Sequence, residues 1–304
     1  RHHKLLGPFK PSDKRSILVA KTTTLDPNAG NMPMKEDGVT PRDLIPACIM
    51  PNFRKGRVLL SLRMLLKGLM LNAVGLSGPG AKALLEMGGW REWPEPIILS
   101  FMAIKKTLEE RRKETEGFAH LLASHLPKFR SKVGLQINLT CPNVGLDVDM
   151  LVYEAEIGLD VLGNLGIPLQ VKLNLLTPIS AAKRIARHYY CHSLCVTNAI
   201  PWGKLPEWIN WKKLFGTEVS PLTEFGGGGL SGWPLFAPLV KWVKAARYAG
   251  IEKPINAGGG ITKINDVDAL CEAGASSVFM GTVRNTRPWR VGKIHDRAYE
   301  LFAM

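Results

Sequence analysis

The sequence predicts an α/β fold: a (β/α)8 barrel whose first N-terminal strand is not found in the chain. Three observations carry this. Short β-branched or apolar runs alternate with longer helical patterns over most of the 304 residues. The runs end at polar turns containing Gly, Pro or Asn, as strands do when they feed loops. Strands and helices alternating at this spacing argue for parallel βα units.

In order, the strands are Ser16–Thr22, Pro96–Ala103, Val133–Leu139, Pro168–Leu173, Ser193–Asn198, Pro254–Ala257 and Ser277–Met280. Helical patterns follow at about 108–126, 150–165, 179–189, 235–248 and 264–273, and a closing helix begins near Trp289. An eight-stranded barrel needs one strand more, and its place is the N-terminus. Two stretches interrupt the alternation. Residues 25–70 are rich in Pro, Met and basic side chains, with two short apolar pieces, and residues 201–225 carry Trp202, Trp208 and Trp211 among Pro and Gly. Such stretches are active-site loops or surface insertions anchored by their tryptophans. The domain expectation is one barrel over 1–304 with these two insertions, a length that one core supports.

The composition is that of a globular protein, 45% hydrophobic and 22% charged. No apolar run approaches the roughly 20 residues that span a bilayer, so a cytoplasmic location without a membrane is expected. Five scattered cysteines argue against a disulfide framework. Cys191 and Cys195 lie four apart, but on a strand and with no second ligand pair, so no metal is expected. The net charge of +14 is compatible with an anionic substrate, nucleic acid or an acidic partner. The Lys and Arg residues are spread along the chain, which also fits a solvated basic surface.

Chemistry concentrates at Asn138-Leu139-Thr140-Cys141-Pro142-Asn143, where an apolar run stops at a polar turn. In a parallel barrel the C-terminal end of a strand is where reactions occur. Two carboxamides can read a planar heterocycle through paired donors and acceptors. A thiol between them can exchange a proton near neutral pH. The last third of the chain holds three glycine features in series: Gly228 to Gly232, Gly258 to Gly260, and Gly281-Thr282. Backbone N–H groups at such turns bind phosphate, and the phosphate site of a barrel is built by its last two loops. A phosphorylated ligand follows.

Together these motifs resemble the dihydroorotate dehydrogenase family of FMN-containing barrels, from about Ser16 to the C-terminus. Ala20-Lys21-Thr22 is similar to the family's first lysine-bearing strand end, and Gly30-Asn31 to its Gly-Asn-Pro loop. Asn72-Ala73-Val74-Gly75-Leu76 resembles the substrate loop, and Asn138 to Asn143 the segment carrying the catalytic base. Val171-Lys172-Leu173 and Thr197-Asn198 are similar to the next two strand ends. The resemblance implies Cys141 as general base. It implies Lys21, Asn72, Gly75, Leu76, Asn138, Asn143 and Asn198 as substrate contacts. It implies FMN held by Lys21, Thr22, Asn138, Lys172, Thr197, Gly232, Gly259, Gly260, Gly281 and Thr282. Cysteine at 141 is similar to the soluble class, which implies fumarate as electron acceptor, or NAD through an FAD/iron–sulfur partner subunit, and admits a homodimer.

The chain departs from the family pattern at three places: Met34-Lys35 where Pro-Arg is usual, Ser77-Gly78 in place of Pro-Asn, and Ala199 in place of Ser or Thr. The alternatives are a tRNA dihydrouridine synthase, a dihydropyrimidine dehydrogenase-type flavin domain, and a flavin-binding homologue without turnover. The first shares Asn-x-x-Cys-Pro and suits the basic charge, but lacks Gly-Gly-Leu-Ser-Gly, so nucleic acid is set aside. The second has His where Asn143 stands.

Overall fold

A computed structural model describes residues 16–43, 45–54, 56–139 and 148–303. In chain order its strands are β1 Leu18–Val19, β2 Ile49–Met50, β3 Leu69–Asn72, β4 Ile97–Phe101, β5 Val133–Asn138 and β6 Leu169–Leu173, then β7 Ser193–Val196, β8 Ile200–Pro201, β9 Gly229–Gly232, β10 Ile255–Ala257 and β11 Ser277–Val278. The helices are α1 Val58–Lys67, α2 Gly80–Glu86, α3 Leu108–His125, α4 Val148–Gly163 and α5 Ile179–Arg187, then α6 Trp211–Phe215, α7 Phe236–Tyr248, α8 Ile264–Glu272, α9 Thr282–Thr286 and α10 Val291–Phe302. The chain forms two compact units. One comprises Arg1–Asp43, Gly75–Lys172 and Arg184–Ser193; the other comprises Leu44–Val74, Leu173–Lys183 and Leu194–Met304.

In the first unit β1, β4, β5 and β6 lie side by side, all parallel, with Ile97 opposite Leu18 and Val133, and Gln136 opposite Ser100 and Gln170. Side chains alternate across a strand, so each has two faces. Phe101 stacks on Phe118 of α3, their ring centroids 4.0 Å apart, which turns Phe101, Leu99 and Ile97 toward the helices. Phe118, Leu122, Leu159 and Leu162 are fully buried on that side. Each such burial contributes about 1.5–3 kcal/mol. The opposite face carries Ser100, Gln136, Asn138, Gln170 and Lys172.

Helix α3 starts at a capping box: the Thr107 hydroxyl accepts from the Glu110 N–H at 3.2 Å, and the Glu110 carboxylate accepts from the Thr107 N–H at 2.9 Å. Arg111 then forks onto Glu154 of α4 at 2.7 and 3.1 Å, a charge-assisted bidentate pair that sets how the two helices pack.

In the second unit β7, β10 and β11 are parallel, with Asn256 opposite both Cys195 and Ser277. The described residues thus contain seven parallel strands, as the alternation predicts. The region before Ser16, where the first barrel strand is not found, lies outside the described residues. Arg247 at the end of α7 donates to the carbonyls of Gly274 and Lys253 and to the Ser276 hydroxyl, at 2.7, 2.9 and 3.1 Å. One side chain thereby satisfies the loops around β10.

The second unit also holds a sheet that the sequence pattern does not predict: β2, β3, β9 and β8, antiparallel in that order. Two of its strands have two residues each and β9 is glycine-rich, so no period of two can be read from them. Residues 201–225 are likewise more ordered than a loop. Trp202 packs against Trp211 and Phe215 at 4.7 and 4.8 Å between centroids, and the Trp211 indole donates to the Lys204 carbonyl at 3.0 Å. Trp202 and Trp211 anchor the insertion in a small aromatic cluster, while Trp208 is exposed. No described helix is long and apolar enough to cross a membrane.

Candidate active site

In the first unit the predicted residues gather at the C-terminal ends of β1, β5 and β6. Asn138 closes β5 directly opposite Lys172 of β6, both two residues beyond the facing pair Gln136 and Gln170. Asn138 is buried, and its amide donates to the Thr22 hydroxyl at 3.3 Å. Lys21, beside Thr22, donates to the carbonyl of Ser77. The residue keeps contact with solvent, yet protein atoms surround its ammonium, and that lost hydration pushes its pKa down to about 8.

The loop bearing Gly75 and Leu76 is fastened to the same place. Asn28 and Gly78 exchange backbone hydrogen bonds of 2.9 and 2.8 Å, and the Asn28 side chain donates to the Gly75 carbonyl at 2.7 Å. The Ser77 hydroxyl accepts from the Met32 N–H at 2.9 Å. Ser77 thus uses both its carbonyl and its hydroxyl, which is the physical content of Ser-Gly at this position. Leu76 adopts φ 60°, a left-handed conformation costly for a side chain with a Cβ. The cross-links to 28–32 and Lys21 hold it there.

In the second unit the remaining predicted residues form another group. Asn72 ends β3 opposite Ile49 and Gly229. Asn198 precedes β8, which pairs with β9, so both carboxamides are tied to the small antiparallel sheet. Thr197 donates its N–H to Gly258 at 2.7 Å, and its hydroxyl accepts from Leu175 at 3.1 Å. A Cβ on Gly259 would stand 2.6 Å from the Thr197 methyl, and one on Gly260 would stand 2.8 Å from the Gly232 carbonyl and the Phe236 nitrogen. Thr282 donates to or accepts from Ser231, next to Gly232, at 2.9 Å. Thr197, Gly232, Gly259, Gly260 and Thr282 are therefore brought together by close packing at the glycines and by the Thr282–Ser231 hydroxyl contact. Cys141 and Asn143 lie outside the described residues.

The sequence reading passed over Ser100, Gln136 and Gln170, which form a hydrogen-bonded row leading to Thr22. A signal was there: each is an uncharged polar residue with an apolar neighbour on either side, and buried polar groups must find partners.

The family model described as dihydroorotate dehydrogenase matches residues 54–301. A protein of Staphylococcus carnosus named dihydroorotate dehydrogenase B (NAD(+)), catalytic subunit, is 27% identical over 75% of this chain and 70% of its own length. A protein of the same name from Streptococcus pneumoniae serotype 4 is 24% identical over 91% of this chain and 77% of its own. Among solved structures, Eimeria tenella DHODH in complex with ferulenol superposes with a TM-score of 0.62 at 19% identity, covering 93% of this chain and 74% of that one. At that identity the likeness speaks for the fold, and the α/β-barrel class read from the sequence holds. With most of its length matched by the family model, the chain belongs to the dihydroorotate dehydrogenase family.

Proposed function

We propose that this protein oxidises dihydroorotate to orotate for pyrimidine synthesis, as an FMN-dependent oxidoreductase acting on a CH–CH bond. The observation that carries the reading is the placing of Asn138 opposite Lys172 and against Thr22, at the strand ends where the family resemblance expects them. The residues fit the cofactor. Gly281, exposed at the start of α9, has no atom within 4 Å of where a Cβ would stand, which is room for a phosphate oxygen.

Gly232, Gly259, Gly260, Gly281 and Thr282 would hold the FMN phosphate, and Thr22, Lys172 and Thr197 its ring system. When bound, FMN supplies the hydride acceptor for the hydrogen at C6. Cys141 takes the C5 proton, and a thiol whose ordinary pKa is near ~8.5 gains from a nearby cation in doing so. Lys21 offers that cation and a donor for the substrate carboxylate. Asn72, Asn138, Asn143 and Asn198 would pair with the pyrimidine edge, and a ring lacking those partners would leave the amides unsatisfied. Lys172 would balance negative charge gained by the reduced ring system. The reading takes residues 1–304 as one cytoplasmic FMN-binding domain. The names of the relatives favour a partner subunit that passes electrons to NAD+.

Anaerobic mixing of the FMN-reconstituted protein with dihydroorotate tests this. Loss of the oxidised-flavin absorbance is expected, together with a fall of at least about a thousandfold in its rate in Cys141→Ala. An FMN-loaded protein that dihydroorotate does not bleach would defeat the reading.

A further inference from the structure

We infer that Gln136 is a positioning residue: through Ser100 and Thr22 it fixes which way the carboxamide of Asn138 faces. Ser100, Gln136 and Gln170 are 1%, 2% and 8% exposed, on the face of β4, β5 and β6 that also carries Asn138. Their hydrogen bonds can be counted atom by atom. Gln136 Nε2 donates to Gln170 Oε1 at 2.8 Å, which leaves Gln136 Oε1 as an acceptor. Ser100 Oγ donates to that oxygen at 3.2 Å and so spends its only proton. At the 2.8 Å contact between Thr22 Oγ1 and Ser100 Oγ, Thr22 must therefore be the donor. With its own proton spent, Thr22 can only accept from Asn138 Nδ2, at 3.3 Å. At the far end Gln170 Nε2 donates to Ser193 Oγ at 3.2 Å.

All five bonds donate in one direction, from Asn138 to Ser193. Reversing one amide alone would set two donors or two acceptors face to face in a buried row, so the row keeps its polarity as a unit. The buried amide at 136 thereby determines that Asn138 turns Nδ2 toward Thr22 and Oδ1 to the other side. The value of that orientation for reading a pyrimidine edge rests on the function proposed above; the orientation itself does not.

The test uses the full chain labelled with 15N-asparagine, with the Asn138 side-chain signals identified by their loss in Asn138→Ser. In the native chain the Nδ2 protons should exchange slowly with solvent. Gln136→Met removes the acceptor for Ser100, whose proton is then free to turn to Thr22, and should speed that exchange by about tenfold or more. Gln136→Glu still accepts from Ser100, and in its protonated form also donates to Gln170, so exchange should stay within about twofold of native. Ser100→Ala breaks the same row with a smaller change, should reproduce the Met result, and carries the test if Gln136→Met does not fold. Unchanged exchange in Ser100→Ala, or equal acceleration in the Glu and Met variants, would overturn the inference. Native protein that holds FMN but is not reduced by dihydroorotate would instead overturn the proposed function and leave the amide result standing.

Discussion

The two groups of candidate residues are built by opposite means. In the first unit the group is made of side chains: Lys21, Thr22 and Asn138 are held by hydrogen bonds to Ser77, Ser100 and one another. In the second unit, beside Asn72, Asn198, Thr197 and Thr282, it is made of missing side chains. Gly259 and Gly260 lie where a Cβ would strike Thr197, Gly232 or Phe236. The first group offers donors, acceptors and charge, and can be tuned one atom at a time. The second presents backbone, and its tolerance depends on whether the space beside each glycine is already filled by protein.

The largest effect that would break this contrast is expected at Gly260. Its φ of 87° is a left-handed conformation, and the Cβ of Gly260→Ala would lie 2.8 Å from the Gly232 carbonyl and the Phe236 nitrogen. Neither is a flexible side-chain end. A loss of about 3 kcal/mol or more in unfolding free energy is expected, read by denaturant titration. Wild-type stability would mean that the turn has slack that close packing does not show.

A smaller effect, read in binding and in the pH dependence of stability, is expected at Lys21. Its folded pKa of about 8 lies below the ordinary 10.5 because burial disfavours the ammonium. Orotate affinity should therefore fall as pH rises through about 8, and Lys21→Met should flatten that fall while weakening binding by about tenfold at pH 7. For stability the sign runs the other way. Between about 8 and 10.5 the unfolded chain binds more protons at this lysine than the folded one, so its contribution to stability grows with pH across that window. Isothermal titration and denaturant melts of both proteins across pH 7 to about 10 would show the two trends opposed. Identical pH profiles for Lys21→Met and the native chain would remove Lys21 from substrate binding.

How much of this was legible in the sequence follows the same division. Val133–Asn138 and Leu169–Leu173 stand out as strands because apolar residues recur at every second position, Val133, Leu135 and Ile137 in one and Leu169, Val171 and Leu173 in the other. Asn138 could be named as a candidate from its position at the end of its run, whereas Lys172 could be named only through the family resemblance. Ile49–Met50, Ile200–Pro201 and Gly229–Gly232 could not be read as strands, because their pairing with one another and with Leu69–Asn72, rather than any local pattern, makes them so. α1 was hidden for a different reason: it starts at Arg57 without a side-chain cap, so no start signal precedes its leucines. Ser77 was visible only as a departure from the family motif, and its two hydrogen bonds show what the departure does.

The sharpest form of the contrast compares two glycines of the same series. Gly281 differs from Gly260 in that its φ of −128° is open to residues with a side chain, and no heavy atom lies within 4 Å of its would-be Cβ. Gly281→Ala should therefore fold with a melting temperature within a few degrees of native, since nothing has to move. If the space beside it is where a phosphate oxygen sits, the added methyl group displaces that oxygen, and FMN should bind about tenfold more weakly by fluorescence titration. Riboflavin, which has no phosphate, should bind equally well to both proteins. A variant that folds and binds FMN as the native chain does would mean that Gly281 is an ordinary turn glycine. The phosphate would then have to be held by Gly232, Gly259, Gly260 and Thr282 without it, and the space beside Gly259 and Gly260 is already shared with Thr197 and Phe236.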